Sequence, residues 1–356
     1  GFLSENADFA EACAAADIRF IGPSPKVMRE LGSKVASKRI AVQAKVPVVP
    51  GYEGAMPEGA ELKKIAKKIG YPLLIKAAAG GGGKGMRVVS EEKDLESAVE
   101  SAVREAFAFF KDGTVFLEKY LVNPRHIEVQ ILGDEKGNLV HLFERECSVQ
   151  RRHQKMIEET PSPSIDAKLR AQICEAAVKL AKQAGYSNAG TVEFIVDSEN
   201  HFYFLEVNTR LQVEHPITEW VTGVDLVKAQ IMIAQGHGLP FKQEEIVQRG
   251  HAVECRLYAE DPENEFLPAE GAVGVLVEPQ GPGIRIDSSL EQGQRVSPLY
   301  DPMLAKLTVY GINRKEALLK TDALLRDYVL LGTRHNLDFL RFTVNAKAFQ
   351  DGHYHT

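Results

Sequence analysis

The stretch Glu206-Val207-Asn208-Thr209-Arg210-Leu211-Gln212-Val213-Glu214-His215-Pro216 alternates polar and apolar side chains. In an extended backbone, residues two positions apart point to the same side. The polar members are therefore predicted to line one surface: Glu206, Asn208, Arg210, Gln212 and Glu214. The apolar members would face a core: Val207, Leu211 and Val213. A plain amphipathic strand gives the same alternation, but this ordered polar mixture favours a functional strand that stays extended through Glu214 before Pro216 turns the chain.

The composition limits the function classes. The chain has 356 residues, of which 44% are hydrophobic and 26% charged, as in ordinary globular proteins. Its net charge of -6 argues against a general nucleic-acid binder, so any anion site is expected to be local. No membrane span or secretory signal is evident, and the start without methionine suggests a fragment. Four widely spaced cysteines predict no zinc site or disulfide framework, which favours the cytoplasm or, in a eukaryote, the mitochondrial matrix.

Hydrophobic periodicity and turn residues predict a mixed α+β and α/β chain with four regions: residues 1–48, 49–120, 121–248 and 249–356. Helices are predicted near 9–15, after Ser33, near 61–69, over 90–110, between Asp166 and Gly185, and over 314–327. Strands are predicted over 18–21, 72–76, 86–89, 115–120, 125–132, 139–145, 190–196, 201–207, 252–258, 274–277, 283–287 and 306–310.

A glycine-rich loop lies between two of these strands and comprises Gly80, Gly81, Gly82, Gly83, Lys84 and Gly85. Glycines let backbone N–H groups close around phosphate oxygens, and Lys84 adds charge. The dinucleotide-binding fingerprint needs a helix after the loop, and the Walker pattern needs Ser or Thr after Lys84, so neither applies. The loop is predicted to be the flap of a nucleotide lid, with a flexible turn as the alternative. Lys76, at the end of the preceding strand, could reach a phosphate.

Three further segments carry weaker signals. Residues 118–121 sit at a predicted hinge, where backbone groups could meet an adenine edge. On the next strand His126, Glu128 and Gln130 share one face, which fits a site or a surface strand equally well. The basic run at residues 150–155 could be a solvated loop, but an anion pocket is the better functional interpretation.

Two carboxylates are predicted on adjacent strands. Glu193 lies in an apolar strand, where an unpaired charge is costly, and Glu206 lies on the strand that follows. Together with Asn208 they supply the oxygen ligands that Mg²⁺ prefers. A buried salt bridge is the alternative.

Seven segments together cover nearly the whole chain in order: GYPLLIKAAAGGGGKGMRVV, FLEKYLVNPRHIEVQ, ERECSVQRRHQK, GTVEF, FLEVNTRLQVEHPITEWVTGVDLVKAQI, RGHAVECRLYAEDP and YDPMLAKL. They resemble the biotin carboxylases of the ATP-grasp superfamily. The resemblance implies an ATP-grasp fold with a small glycine-flap lid, a barrel-like but incomplete C-terminal domain, and an N-terminal α/β domain that is largely missing.

The resemblance also implies roles for individual residues. The metal ligands, for Mg²⁺ or Mn²⁺, would be Glu193, Glu206 and Asn208. ATP would be bound by Lys34, Lys76, the glycine loop, Glu118, Lys119, Leu121, His126, Gln150 and His153. Bicarbonate would be bound by Lys155, Arg210, Gln212, Val213 and Glu214. The catalytic residues would be Glu214, Arg210, Lys155 and Arg256, with Glu214 as the base and Arg256 facing the biotin ureido oxygen.

The implied reaction is carboxylation of biotin through carboxyphosphate. No Met-Lys-Met attachment sequence occurs, so the resemblance implies that biotin is borne by a carrier domain or protein, with a carboxyltransferase as a further partner. A homo-oligomer is expected when the N-terminal domain is complete. The FLEVNTR segment also fits carbamoyl-phosphate synthetase, whereas RRHQK, QVEHP and HAVECR single out the biotin enzyme. A non-catalytic nucleotide-binding scaffold is the alternative from another class.

Overall fold

The computed structural model describes residues 2–52, 54, 56–77, 86–152 and 154–356. The glycine loop at residues 80–85 and His153, both predicted to bind nucleotide, lie outside the described residues. The first part of the chain is helical, with α1 (Ala7–Ala15), α2 (Pro25–Gly32) and α3 (Lys34–Gln43). Ser33 caps α3 as predicted. The predicted strand at 18–21 is wrong, and α2, which begins with the N-cap Ser24 and Pro25, was not predicted.

The next part forms a small α/β unit around a four-stranded sheet. Its elements are β1 (Gly51–Tyr52), α4 (Gly59–Ile69), β2 (Leu73–Ala77), β3 (Met86–Val89), α5 (Leu95–Phe110) and β4 (Val115–Lys119). The strand order is β1-β4-β2-β3, so the glycine loop connects neighbouring antiparallel strands. Leu73, Ile75 and Leu117 are fully buried against α5. The predicted strand-loop-strand arrangement of the lid is confirmed for the strands on either side of the loop.

The third part supplies the centre of the molecule. Its elements are β5 (Arg125–Gly133), β6 (Leu139–Arg151), β7 (Gln154–Thr160), α6 (Ala167–Ala184), β8 (Asn188–Val196), β9 (Phe202–Asn208), α7 (His215–Thr222) and α8 (Leu226–Ala234). Asp166 caps α6 by accepting a hydrogen bond of 2.7 Å from the Leu169 backbone N–H. Gly185 ends the helix in the left-handed conformation at φ 65°. Both helix signals in the sequence are confirmed.

The last part contains nine strands and three helices: β10 (His251–Tyr258), β11 (Glu260–Asp261), β12 (Leu267–Pro268), β13 (Gly271–Ala272), β14 (Val275–Val277), β15 (Ile284–Ser288), β16 (Arg295–Val296), β17 (Met303–Gly311), α9 (Arg314–Asp327), β18 (Val329–Leu331), α10 (Leu337–Asn345) and α11 (Lys347–Gln350).

One eight-stranded antiparallel sheet joins the third and last parts, in the order β15-β17-β10-β7-β6-β5-β8-β9. The barrel-like form expected for the C-terminal region is therefore corrected: its long strands continue the central sheet, and no closed barrel occurs in the described ranges. On β5, Ile127, Val129 and Ile131 pack in the core beneath α6. Glu128 and Gln130, on the opposite face, are also fully buried. A surface strand is thus excluded for this segment.

Two further expectations concern the basic run and the alternating stretch. A solvated loop, one alternative for the basic run, is excluded for residues 150–151 and 154–155, which pair between β6 and β7. The alternating stretch leaves the sheet at Asn208, whose partner is Thr191. The next backbone N–H, from Thr209, donates instead to the Glu5 carboxylate at 2.9 Å. Beyond it, Gln212 and Glu214 are buried while Leu211 and Val213 are half-buried, so a single polar face no longer exists. Within the described part of the chain, no helix combines the length and apolar character needed to cross a bilayer.

The central core is predicted to depend on the buried face of α6. Leu180→Ala, at a fully buried position, should lower the free energy of unfolding by about 2–5 kcal/mol because it leaves a cavity. The neighbouring exposed Lys179→Ala should change it by no more than about 0.5 kcal/mol. Urea denaturation followed by the fluorescence of the single tryptophan, Trp220, measures both. Equal midpoints for the two variants would contradict this packing.

Candidate active site

Lys155, on β7, lies at the centre of the polar face of the sheet. Its Nζ donates to Glu193 Oε1 at 2.9 Å and to Glu214 Oε1 at 2.7 Å, and it also contacts Glu128 Oε2. Burial alone would lower the pKa of Lys155, but the three carboxylates outweigh it and raise this pKa well above its usual value. Lys155 is therefore a fixed positive charge.

Glu214 lies between two cations. In addition to Lys155, Arg256 Nη2 donates to Glu214 Oε2 at 3.0 Å. Burial would raise the pKa of Glu214, but Lys155, Arg256 and Arg145 lower it well below its usual value. The residue precedes α7 and is only 2% exposed. The predicted base is thus an ionised, buried carboxylate, which Arg256 on β10 reaches from the C-terminal region.

Arg145, on β6, belongs to this polar network and was not predicted from the sequence. Its guanidinium is fully buried and donates to five side-chain oxygens at 2.6–3.1 Å: Glu128, Gln130, Thr191, Gln212 and Thr218. These acceptors come from two strands, β5 and β8, from α7 and from the loop before it. The alternation of Glu128 and Gln130 in the sequence predicted a polar face of the strand. It did not identify Arg145 as the residue that binds this face.

Glu193 and Glu206 face each other directly across the β8–β9 pair. Glu193 Oε1 accepts from Asn208 Nδ2 at 2.8 Å and from Gln212 Nε2 at 2.9 Å, while His126 Nε2 lies 2.9 Å from Oε2. Burial would raise the pKa of Glu193, but Lys155 and His126 lower it. Burial and then the charge of Glu193 raise the pKa of Glu206. The structure therefore brings the three predicted metal ligands together.

Arg210 forms its hydrogen bonds with residues outside the predicted bicarbonate set. Its Nε donates to Glu5 Oε2 at 2.8 Å and its Nη2 to Asn208 Oδ1 at 3.1 Å. The carbonyl oxygen of Val213 accepts a hydrogen bond of 3.0 Å from Lys306 Nζ. Lys306 was not predicted, since nothing in the sequence pairs it with a loop 93 residues away.

The predicted nucleotide residues fall into separate groups. Lys76 and Lys38 both bind the carboxylate of Glu118, with the Lys38 contact at 3.2 Å. Lys119 Nζ donates to the backbone carbonyls of Tyr71 at 2.7 Å and Gly70 at 3.2 Å. Leu121 follows β4 and is half-buried.

Two further predicted nucleotide residues, Gln150 and Lys34, lie nearer the carboxylates. Gln150 Nε2 lies 3.0 Å from His126 Nδ1, which joins β6 to the carboxylate group through His126. Lys34 and Glu206 both line an open cleft of about 310 Å³, together with Glu5 and Thr209. This cleft borders the predicted metal ligands.

Two groups of residues could bring metal-ligating atoms together in the described part of the chain, with all ligand atoms of each group within 4.8 Å of one another: His126, Glu128 and Glu193, and Glu128, Cys147 and Glu214. Lys155 already neutralises these carboxylates. The pair formed by Glu193 and Glu206 is the better place for a cation because the like charges there repel each other.

Family models match three parts of the chain. Residues 1–28 match the biotin carboxylase N-terminal domain and residues 254–356 the biotin carboxylase C-terminal domain. Residues 33–242 match the ATP-binding domain of the carbamoyl-phosphate synthase L chain.

Curated relatives are similar over the whole chain. The α subunit of mitochondrial methylcrotonoyl-CoA carboxylase from Rattus norvegicus is 51% identical, and the match covers 100% of this chain and 50% of that protein. The chain thus spans about half the length of this relative. Biotin carboxylase from Halalkalibacterium halodurans is 49% identical, with 99% of this chain and 78% of that protein covered.

Solved structures of related proteins have the same fold. A biotin carboxylase–β-γ-ATP complex from Campylobacter jejuni has a TM-score of 0.92 at 47% identity, with 100% of this chain and 79% of that chain covered. The biotin carboxylase domain dimer of 2-oxoglutarate carboxylase from Hydrogenobacter thermophilus, in complex with MgADP, ADP and bicarbonate, has a TM-score of 0.92 at 44% identity and the same coverage. By sequence and by fold, this chain belongs to the biotin carboxylase family.

Proposed function

We propose that this protein carboxylates biotin in a reaction that consumes ATP and bicarbonate. The observation that carries the proposal is the position of Glu214, an ionised carboxylate held between Lys155 and Arg256 beside the Glu193–Glu206 pair. The domain matches and the relatives that bind nucleotide and bicarbonate support it. The match to carbamoyl-phosphate synthase is confined to the ATP-binding region, whereas Arg256 lies in the biotin carboxylase segment.

The first step is the activation of bicarbonate, which is a poor nucleophile. Two cations stabilise the Glu214 anion in this arrangement, so Glu214 is a weak base. A bicarbonate bound beside Lys155 would accept hydrogen bonds from the Lys155 ammonium. This would weaken the contact between Lys155 and Glu214. The pKa of Glu214 would then rise toward the range in which it can take the bicarbonate proton. The substrate anion would thereby strengthen its own base.

Arg210 would join the bicarbonate site by exchanging Glu5 and Asn208 for the bound anion. Its guanidinium is bound to Glu5 and Asn208, and its planar fork suits a carboxylate-like anion. Gln212, which Arg145 and Glu193 hold in place, would contribute a further polar contact. We propose Lys155, Arg210, Gln212, Val213 and Glu214 as the bicarbonate residues.

Nucleotide binding would use residues of both the lid and the central sheet. The Lys119 ammonium binds lid carbonyls, and the backbone N–H groups of Lys119 and Tyr120 donate to the carbonyls of Pro50 and Pro72. The backbone of Leu121 would therefore be the part of this segment that meets an adenine edge. Lys76 would reach the phosphates by leaving Glu118. We propose the remaining predicted residues as ATP contacts also: Lys34, Gly80, Gly81, Gly82, Gly83, Lys84, Gly85, Glu118, Leu121, His126, Gln150 and His153.

The donor set at Glu193, Glu206 and Asn208 fits Mg²⁺ or Mn²⁺, because carboxylate and amide oxygens are hard ligands. The raised pKa of Glu206 reflects burial and the charge of Glu193, and a divalent cation would relieve that repulsion. When bound, the ion would neutralise charge on phosphate oxygens. The contacts of Glu193 with Lys155 and His126 show that it also forms the buried salt bridge of the alternative interpretation.

Transfer to biotin would occur near Arg256. Attack of bicarbonate on the γ-phosphate would release ADP and give carboxyphosphate, which would break down to CO₂ and phosphate. The phosphate would take the N1 proton of biotin, Arg256 would stabilise the resulting enolate-like ureido oxygen, and N1 would then form the bond to the carbon of CO₂. Closure of the lid would keep water from the labile intermediate. A biotin carrier and a carboxyltransferase are the partners we propose, acting in the cytoplasm or the mitochondrial matrix.

Glu214→Gln should abolish the proposed reaction, because the amide cannot accept the bicarbonate proton. Phosphate release from ATP that requires both bicarbonate and biotin should fall by at least about 10²-fold. The surface variant Glu199→Gln should retain the wild-type rate. Wild-type ATP hydrolysis that ignores biotin would contradict the proposal, and hydrolysis stimulated by ammonia would favour carbamoyl-phosphate synthesis.

Glu206→Gln should weaken metal binding while leaving the fold intact. Glu206 lies on the edge strand β9, where its side chain reaches solvent although neighbouring groups partly desolvate its carboxyl, and the amide keeps the same shape. The Mg²⁺ concentration needed for half-maximal nucleotide binding should rise about tenfold or more, measured by titration of Mg²⁺ at fixed ATP. Glu199→Gln again serves as the control. An unchanged Mg²⁺ requirement would remove Glu206 from the metal site.

A further inference from the structure

Two buried glutamates behind Arg256 have no role in the reaction outlined above. Glu158 on β7 and Glu254 on β10 are register partners in the antiparallel pair, so their side chains share one face of the sheet. Both are fully buried. Two adjacent ionised carboxylates at such a place would be strongly unfavourable.

Their hydrogen bonds differ. Glu158 Oε1 accepts from Arg256 Nε at 2.6 Å, whereas Glu254 Oε2 accepts only from the Thr308 hydroxyl, at 3.0 Å. The second oxygen of each carboxylate, Glu158 Oε2 and Glu254 Oε1, is buried and has no partner among the described residues. A single proton between these two oxygens would satisfy both of them.

The surrounding charges decide which residue holds the proton. The titratable groups that interact with the pair come from β7, β10, β17 and the loop before α7: Lys155, Cys255, Arg256, Lys306 and Glu214. Burial raises the pKa of Glu158 to about 7, although the directly bound Arg256 opposes this rise. Burial and then the charge of Glu158 raise the pKa of Glu254 to about 8. Glu254 is therefore the protonated member.

We propose that Glu254 keeps its proton at neutral pH and donates it to Glu158, so that the pair presents one negative charge to Arg256. Glu254 is a positioning residue in this arrangement, since it touches Glu158 and not a substrate. Arg256 is then shared between one charge on Glu158 and one on Glu214, which holds its guanidinium between them. The consequence for biotin rests on the proposed function of Arg256.

The ionisation of Glu254 determines how the KM for biotin changes with pH. Below about pH 8 Glu254 is neutral and Arg256 is held as described. Above it, Glu254 ionises, and the second negative charge draws Arg256 away from Glu214 and from the biotin oxygen. The KM for biotin should therefore rise with pH above 8, by roughly tenfold per pH unit for loss of one proton.

Glu254→Gln tests the proposal because an amide reproduces the neutral carboxyl: its oxygen can accept from Thr308 and its N–H can donate to Glu158. The KM for free biotin should match the wild-type value near pH 7 and lack the wild-type rise between pH 8 and 9. Glu144→Gln is the matched control. Glu144 is also a buried carboxylate with a raised pKa, an arginine partner and one unpartnered oxygen, but its partner is Arg170. That variant should keep the wild-type pH dependence of KM.

Infrared spectroscopy separates this proposal from the proposed function. A protonated-carboxyl band should titrate near pH 8 in the wild type and in Glu144→Gln, and be absent in Glu254→Gln. Absence of that band from the wild type, or its survival in Glu254→Gln, overturns the shared proton even if biotin is carboxylated. A band that behaves as expected, with the same pH dependence of KM in both glutamine variants, overturns the positioning role. Absence of any biotin-dependent turnover refutes the proposed function, and the infrared result still decides the protonation.

Discussion

The buried contact between Lys155 and three carboxylates is the interaction on which the candidate active site depends. An ammonium removed from water is costly unless it is compensated, and here Glu128, Glu193 and Glu214 surround it. Each carboxylate in turn needs a second cation or donor, which Arg145, His126 and Arg256 supply. Removal of any one partner leaves an uncompensated charge, so the network fixes all of its members at once.

The hydrogen bonds of Arg145 both hold the fold together and orient residues of the candidate active site. Arg145 spans β5, β8, α7 and the loop before it because its five donors need acceptors from all of them. In doing so it orients Glu128 toward Lys155 and Gln212 toward Glu193. An apolar core would pack as well, but it would not hold the side chain of Gln212 beside a predicted anion site.

Local signals in the sequence predicted much of this structure. Asp166 and Gly185 bound α6 because capping depends on neighbouring residues, and the turn at 197–200 implied the hairpin that pairs Glu193 with Glu206. What could not be predicted depends on distant partners. β9 ends early because Glu5, some two hundred positions upstream, takes the backbone N–H of Thr209. The roles of Arg145 and Lys306 likewise depend on residues that only the fold brings near.

The continuity of the central sheet has a consequence for chimeric proteins. Because β7 pairs with β10 through four register positions, a crossover placed between the two family-model segments would separate strands that share one hydrogen-bonded ladder. Exchanging the C-terminal segment between relatives thus replaces half of a strand interface, along with one of the two cations that flank Glu214. A functional chimera would need to preserve both strands of the β7–β10 pair. The lid has its own sheet and core, so it could be exchanged as a unit.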